Sequence, residues 1–206
     1  MEQTLPDYTL EDAQTLRPIC GVDEVGRGPW AGPVVAAAAI WPDEARIHVP
    51  AGLTDSKKLT AKRREAMVDT LKTHCIWAIG EASVEEIDSL NILAATKLAM
   101  QRAVAGLSVP PAFALVDGNQ PPVLPCPVQS VVKGDSRSLS IAAASVIAKV
   151  HRDKLMEQLH AEHPHYGWAS NAGYGAKAHQ DGLATHGVTP HHRKSFAPIR
   201  KILEAA

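Results

Sequence analysis

The stretch Cys20-Gly21-Val22-Asp23-Glu24-Val25-Gly26-Arg27-Gly28-Pro29-Trp30-Ala31-Gly32-Pro33 runs an apolar strand, Cys20–Val25, into a glycine-rich turn, with two adjacent carboxylates at the junction. Glycines let the backbone bend sharply and approach a ligand closely, and successive N–H groups can form an anion-binding concavity. Carboxylate oxygens suit a hard cation such as Mg²⁺ or Mn²⁺. A capped hairpin turn with solvated acids accounts for the same residues. Neighbouring strand residues point to opposite faces. Asp23 and Glu24 therefore share a site only if the strand is distorted or ends there, and Gly26 gives room for that.

Outward from this stretch, four more short apolar runs bounded by Gly, Pro or Asp read as strands: Val34–Ile40, Trp77–Ala82, Phe113–Val116 and Val128–Val132. Helices are expected over Ala61–His74, Asn91–Ala105, Ser138–His160, Ala178–His186 and Pro198–Glu204, with Thr60 as an N-cap and Gly106 as a stop. Three early strands followed by strand–helix alternation predict an α/β sheet with helices on its faces. In such sheets ligand sites gather at strand ends, where the acidic positions fall.

The chain has 206 residues, 45% hydrophobic and 21% charged. Those values are ordinary for a globular protein and exclude a disordered chain, a collagen or a coiled coil. The longest apolar stretches, Val34–Trp41 and Ile141–Ala148, span eight residues each, well short of the roughly 18 a membrane span needs. The acidic N-terminus has no apolar signal-peptide core, so no membrane association is expected and the chain reads as cytosolic. Cys20, Cys75 and Cys126 match neither a disulfide framework nor a metal knuckle. The net charge of −1 hides an asymmetry: residues 1–50 carry −5, residues 101–150 and 151–206 carry +2 each, and eight of ten histidines follow residue 150. Any affinity for a polyanion must come from local clusters.

Four such clusters follow the first. Asp117, in Leu115-Val116-Asp117-Gly118-Asn119, is a metal-ligand candidate or a turn former. Asp135, in Lys133-Gly134-Asp135-Ser136-Arg137-Ser138, is a ligand candidate or a helix cap. Together with Asp23 and Glu24 they make a set able to hold two divalent ions about 3.5–4 Å apart, the arrangement for in-line phosphoryl chemistry. Asp153 is excluded by reach, since a helix at about 1.5 Å per residue puts it over ~20 Å from Asp135; it is better placed to pair with Lys149. Five bases fall among residues 57–64, and Lys57 and Lys58 lie ahead of a helix start where a phosphate would meet both charge and free N–H groups. In the tail, Tyr166, Trp168 and Tyr174 lie among glycines and bases, a composition suited to stacking beside phosphate contacts. The histidines show no zinc spacing.

The strings GVDEVGRGPWAGPVV, DSKKL, VDGN, KGDSRSLSIAAASVIAKVHRD, GYGAKAH and HHRKSF together resemble bacterial ribonuclease HII, the type 2 ribonuclease H, in the family's order from about Ile19 to Phe196. The resemblance implies a ribonuclease-H-like α/β fold, a mixed central sheet with helices on its faces and a helical C-terminal portion. It also implies an Mg²⁺- or Mn²⁺-dependent endonuclease that cuts the RNA strand of RNA–DNA hybrids and incises at ribonucleotides embedded in duplex DNA, leaving 3′-hydroxyl and 5′-phosphate ends. The family's metal-binding carboxylates fall on Asp23, Glu24, Asp117 and Asp135, and its glycine-arginine-glycine element on Gly26, Arg27 and Gly28. Its junction-stacking tyrosine falls on Tyr174 and its phosphate-contacting bases on Lys57 and Lys58, with Arg193 adding backbone contacts. Ala172 and Ala176 replace a lysine and a threonine common in the family. Residues 1–17 form an extension outside the resemblance, residues 18–206 the catalytic domain with its C-terminal helical substrate-binding segment, and a monomer is expected. A DNA-cutting nuclease on the same fold, an inactive hybrid-binding protein and a phosphotransferase are the competing readings; the last lacks a Walker A or GxGxxG string.

Overall fold

The computed structural model describes residues 5–205. Five strands form one sheet: β1 (Ile19–Val25), β2 (Val34–Ile40), β3 (Ile76–Ala82), β4 (Phe113–Asp117) and β5 (Val128–Val131), in the order β3-β2-β1-β4-β5. β1 pairs antiparallel with β2 and β2 with β3, while β1, β4 and β5 are parallel. The helices are α1 (Thr9–Asp12), α2 (Ala61–His74), α3 (Val84–Leu90), α4 (Ile92–Ala105), α5 (Leu139–Glu162), α6 (Trp168–Asn171), α7 (Lys177–His186) and α8 (Ala197–Ala205). The mixed sheet and the helical C-terminal portion agree with the predicted α/β class. None of the described helices is long and apolar enough to cross a membrane.

Every residue of β2 is buried, because both faces of the sheet are covered. Ala37 and Ala39 face α5 and α2 in one core, and Ala36 and Ala38 face α4 in the other. A strand covered on both sides loses the alternation of apolar and polar residues. Small residues let the helices lie directly on the sheet. A Cβ at Gly21 would stand 2.1 Å from the main-chain carbon of Ser140 in α5, and one at Gly80 would stand 2.1 Å from the carbonyl oxygen of Ala99 in α4. Gly21→Ala therefore forces α5 off β1. The expected loss is about 3 kcal/mol, at the upper end for overpacking, read as a lower midpoint in urea at unchanged slope.

Three helices, α1, α3 and α6, went unanticipated although one is marked. α3 opens on a capping box: the Ser83 hydroxyl accepts from the Glu86 N–H, and the Glu86 carboxylate accepts from the Ser83 N–H. That Ser-x-x-Glu spacing is visible in the sequence. Asn91, at φ 72°, ends α3 and caps α4 through its side-chain oxygen. The short α1 lies ahead of β1, and the described residues around it are built into the core. Leu10 packs with Ile19, Leu115, Val131 and Ile141. The buried Glu11 carboxylate accepts from the Ser138 hydroxyl at 2.6 Å and the Ser140 N–H at 2.9 Å. Glu11 thus braces the start of α5.

Candidate active site

β4 stops at Asp117 and pairs with β1 only as far as Val22↔Val116. On its other side β1 continues against β2 through Val25↔Val35. The strand is open on one side only, and that is how adjacent residues of opposite facing share a site. Carboxylate atoms of Asp23, Glu24 and Asp117 all lie within 4.8 Å of one another at this open end. Asp23 Oδ1 accepts from the Glu24 N–H at 2.7 Å, and Asp117 Oδ1 accepts from the Gly134 N–H at 2.6 Å. The second bond ties the end of β4 to the 3₁₀ turn Gly134–Ser136 that carries Asp135. Lys133, just before it, takes a left-handed conformation with φ 55°.

Asp135 is not a helix cap. Ser138 caps α5, accepting from the Ile141 N–H. Asp135 instead faces Asp117 and Asp55, with Lys57 nearby. Asp55 caps the 3₁₀ turn Ser56–Lys58, accepting from the Lys57 N–H. In the sequence this aspartate is marked only as the first residue of the DSKKL string. The Lys58 ammonium donates to Ser136 Oγ at 3.0 Å, so the basic turn rests against the 3₁₀ turn that carries Asp135. Asp153 pairs with Lys149 at 2.5 Å and Arg64 at 3.2 Å, away from this centre.

Like charges without enough counter-charge raise carboxyl pKa values. Burial, then Glu24 and Asp117, hold Asp23 well above the carboxylate range. Burial also raises Glu24, against the pull of Arg27, whose Nη1 lies 3.5 Å from Glu24 Oε1. Asp135 is pushed up to about 6 by burial, then by Asp55 and Asp117. Burial opposes the charge on Lys57, but Asp23, Asp55, Asp135 and Glu24 outweigh it and raise its pKa. An all-oxygen donor set with this excess of negative charge fits a hard divalent cation.

Beside the acids, the turn from Gly26 to Pro33 is held from below by two arginines. Arg193 is 0% exposed. It donates to the carbonyls of Gly26 at 2.6 Å, Arg27 at 3.0 Å and Gly32 at 2.9 Å. This corrects the expected nucleic-acid backbone contact, since a side chain sealed under the turn reaches no phosphate. Arg152, 1% exposed, donates to the carbonyls of Ala31, Pro33 and Ala172. Neither role is visible in the sequence, where an arginine reads as surface charge.

Tyr174 is 52% exposed. A Cβ on Gly28 would lie 3.2 Å from its ring, so the glycine makes way for the tyrosine. The Trp30 N–H donates to Gly173 O at 2.8 Å and joins the two turns. Tyr166 and Trp168, also expected to stack on nucleic acid, are buried in the core of the C-terminal portion. Beneath Tyr174 lie two fully buried histidines. His192 Nδ1 accepts from the Thr189 N–H at 2.9 Å, so its Nε2 carries the hydrogen and donates to His179 Nε2 at 3.0 Å. His179 Nε2 also accepts from Trp168 Nε1 at 3.2 Å, and its Nδ1–H donates to Tyr174 O at 2.9 Å. Burial, then the neighbouring His179, lowers the His192 pKa to about 3 and keeps it neutral.

The fold and its acidic centre define a divalent-metal-dependent phosphodiester hydrolase of the ribonuclease H class. The family model described as Ribonuclease HII matches residues 20–199. The Ribonuclease HII of Paracoccus denitrificans is 57% identical over 202 residues, covering 96% of this chain and 95% of its own. The crystal structure of ribonuclease H2 from Pyrococcus horikoshii superposes with a TM-score of 0.75 at 25% identity, over 91% of this chain and 97% of that one. Bst-RNase HIII in complex with Mn²⁺ shares the fold, with a TM-score of 0.74 at 22% identity over 91% of this chain and 70% of its own. The chain belongs to the ribonuclease HII family: it is a ribonuclease H, an endonuclease acting on RNA–DNA hybrids.

Proposed function

We propose that this enzyme also incises duplex DNA at single embedded ribonucleotides, leaving 3′-hydroxyl and 5′-phosphate ends, and that it does so by two-metal-ion catalysis. The observation that carries the proposal is one continuous surface feature. The cluster of Asp23, Glu24 and Asp117, with Asp135 beside it, adjoins a Gly26-Arg27-Gly28 turn whose last glycine lies under the exposed Tyr174 ring.

Asp23, Glu24, Asp117 and Asp135 would hold the cations, Mg²⁺ or Mn²⁺. Bound there, such ions lower the pKa of an attacking water and offset charge on the phosphate and the departing 3′ oxygen. The protein's own groups position the substrate. Main-chain groups of the turn at the exposed Gly28 would face the minor-groove side of the junction, which suits reading a 2′-hydroxyl that both donates and accepts. Tyr174 stacks on the adjoining sugar. Lys57, Lys58 and Arg27, all exposed, meet phosphates. Residues 18–206 act as the catalytic domain with its helical substrate-binding segment, and residues 1–17 as an extension to it, in a monomer.

The test is cleavage of three duplexes: all-DNA, DNA with one ribonucleotide, and a uniform hybrid, each with Mg²⁺, Mn²⁺ or chelator. Metal-dependent incision at the ribonucleotide with an intact all-DNA duplex is the expected result. Equal cutting of the all-DNA duplex would convert the reading to a DNA-cutting nuclease. Tyr174→Ala should weaken single-ribonucleotide incision by about 1–3 kcal/mol, the worth of one stacking contact. Incision by that variant at the wild-type kcat/KM would remove Tyr174 from the interface.

A further inference from the structure

Most of the histidines after residue 150 have no part in the carboxylate centre, and the buried pair His179 and His192 use their nitrogens on each other and on the backbone. Two others are placed differently. His163 caps the C-terminus of α5, and His191 lies in the segment that returns to the glycine turn, where its carbonyl accepts from the Gly32 N–H at 2.9 Å. Their rings meet edge to face with centroids 5.1 Å apart. The buried Trp168 ring packs edge-on against both, at 5.8 Å and 6.2 Å, and so limits how each can turn. Glu162, the exposed last residue of α5, completes the group. One ligand atom from each of Glu162, His163 and His191 lies within 4.8 Å of the other two. Among the described residues, none of these three side chains is engaged in a hydrogen bond or an ion pair, so all three ligand atoms have lone pairs to give.

Two imidazole nitrogens and one carboxylate oxygen make a donor set unlike the all-oxygen centre at the end of β1. Imidazole suits zinc, nickel and copper, whereas Mg²⁺ prefers oxygen and water. Three protein ligands with a fourth position left to water are a common zinc arrangement. We propose that Glu162, His163 and His191 form a second metal site, separate from the carboxylate centre, that takes Zn²⁺ or a similar late transition ion. An ion there would join the end of α5 to the segment whose Arg193 holds the glycine turn. Because the three ligands converge only in the folded chain, binding would favour the native state.

The experiment uses the full chain, stripped with chelator and then given excess Mg²⁺ to occupy oxygen sites. Titration with Co²⁺ should give one equivalent of the intense visible absorption of four- or five-coordinate cobalt, displaced by Zn²⁺, and Zn²⁺ should raise the melting temperature. His163→Gln and His191→Gln should each weaken this binding by at least about tenfold, the loss expected even from outer-shell changes. Glu162→Gln, at an exposed position, reads the same site without disturbing the interior. Failure of Co²⁺ to give that absorption in wild type would overturn the proposal. So would an absorption unchanged in His163→Gln and Glu162→Gln, which would assign the ion to other residues.

Discussion

An Asp23→Asn enzyme is expected to cleave an RNA–DNA hybrid more than about a hundredfold slower than wild type. Outer-shell partners of metal sites are already worth about 10–100-fold, and Asp23 is proposed as a ligand itself. Binding of the hybrid in Ca²⁺ should survive, because the turn and the basic residues remain. A second signature separates lost chemistry from a damaged fold. Crowded carboxylates destabilise the metal-free protein, so neutralising one of them should raise its melting temperature. Asp135 permits the sign to be worked through. Its pKa rises from an ordinary 3.8 to about 6 on folding, so the native state binds more protons than the unfolded state between those values. The Asp135 contribution to the stability of the metal-free wild type should fall as pH rises through that window and level off above it. Asp135→Asn should lessen the fall by about 2–3 kcal/mol, with the raised Asp23 and Glu24 keeping the rest of it, while losing cleavage like Asp23→Asn. Thermal melts across pH with chelator present read the first effect. Wild-type cutting by Asp135→Asn would strike that residue from the ligand set.

Arg193→Met should cost about 3 kcal/mol or more in stability. The change strands the carbonyls of Gly26, Arg27 and Gly32 that the guanidinium now satisfies, and each unsatisfied buried group costs about 1–3 kcal/mol. Urea unfolding measures this directly. Binding offers the discriminating control. A residue that neutralises a phosphate contributes about one to the slope of log K against log salt. The Arg193 variant, assayed below its melting range, should keep the wild-type slope, whereas replacing Lys57 or Lys58 should reduce it. A reduced slope with unchanged stability would return Arg193 to the backbone-contacting role that the family resemblance implies.

These two residues mark how far the sequence could be read. The strands of the sheet were legible because each is a short apolar run closed by Gly, Pro or Asp, and the observed strands Ile19–Val25 and Val34–Ile40 sit where those runs sit. The start of α2 was legible because its N-cap, Thr60, is a local signal. The acidic centre was legible as a set of residue types at strand ends. What a list of residues cannot carry is pairing: that β4 leaves β1 at Val116, so that Asp23 and Glu24 meet around an open edge. Nor can it carry burial of charge. Arg152, Arg193, His179 and Glu11 are polar by type and interior by position. The tail aromatics erred the other way, with Tyr166 and Trp168 filling the core while Tyr174 alone of the three stays outside.

Arg152 and Arg193 direct all their hydrogen bonds to main-chain oxygens. Burial, chiefly, brings their pKa values down to about 10 and about 9, and both remain cationic at neutral pH. Mobile ions screen a charge on the surface far more than one enclosed in protein. The floor of the glycine turn therefore carries a permanent positive potential that electrolyte cannot easily quench, and a polyanion settling there would keep part of its attraction after the lysines outside have been masked.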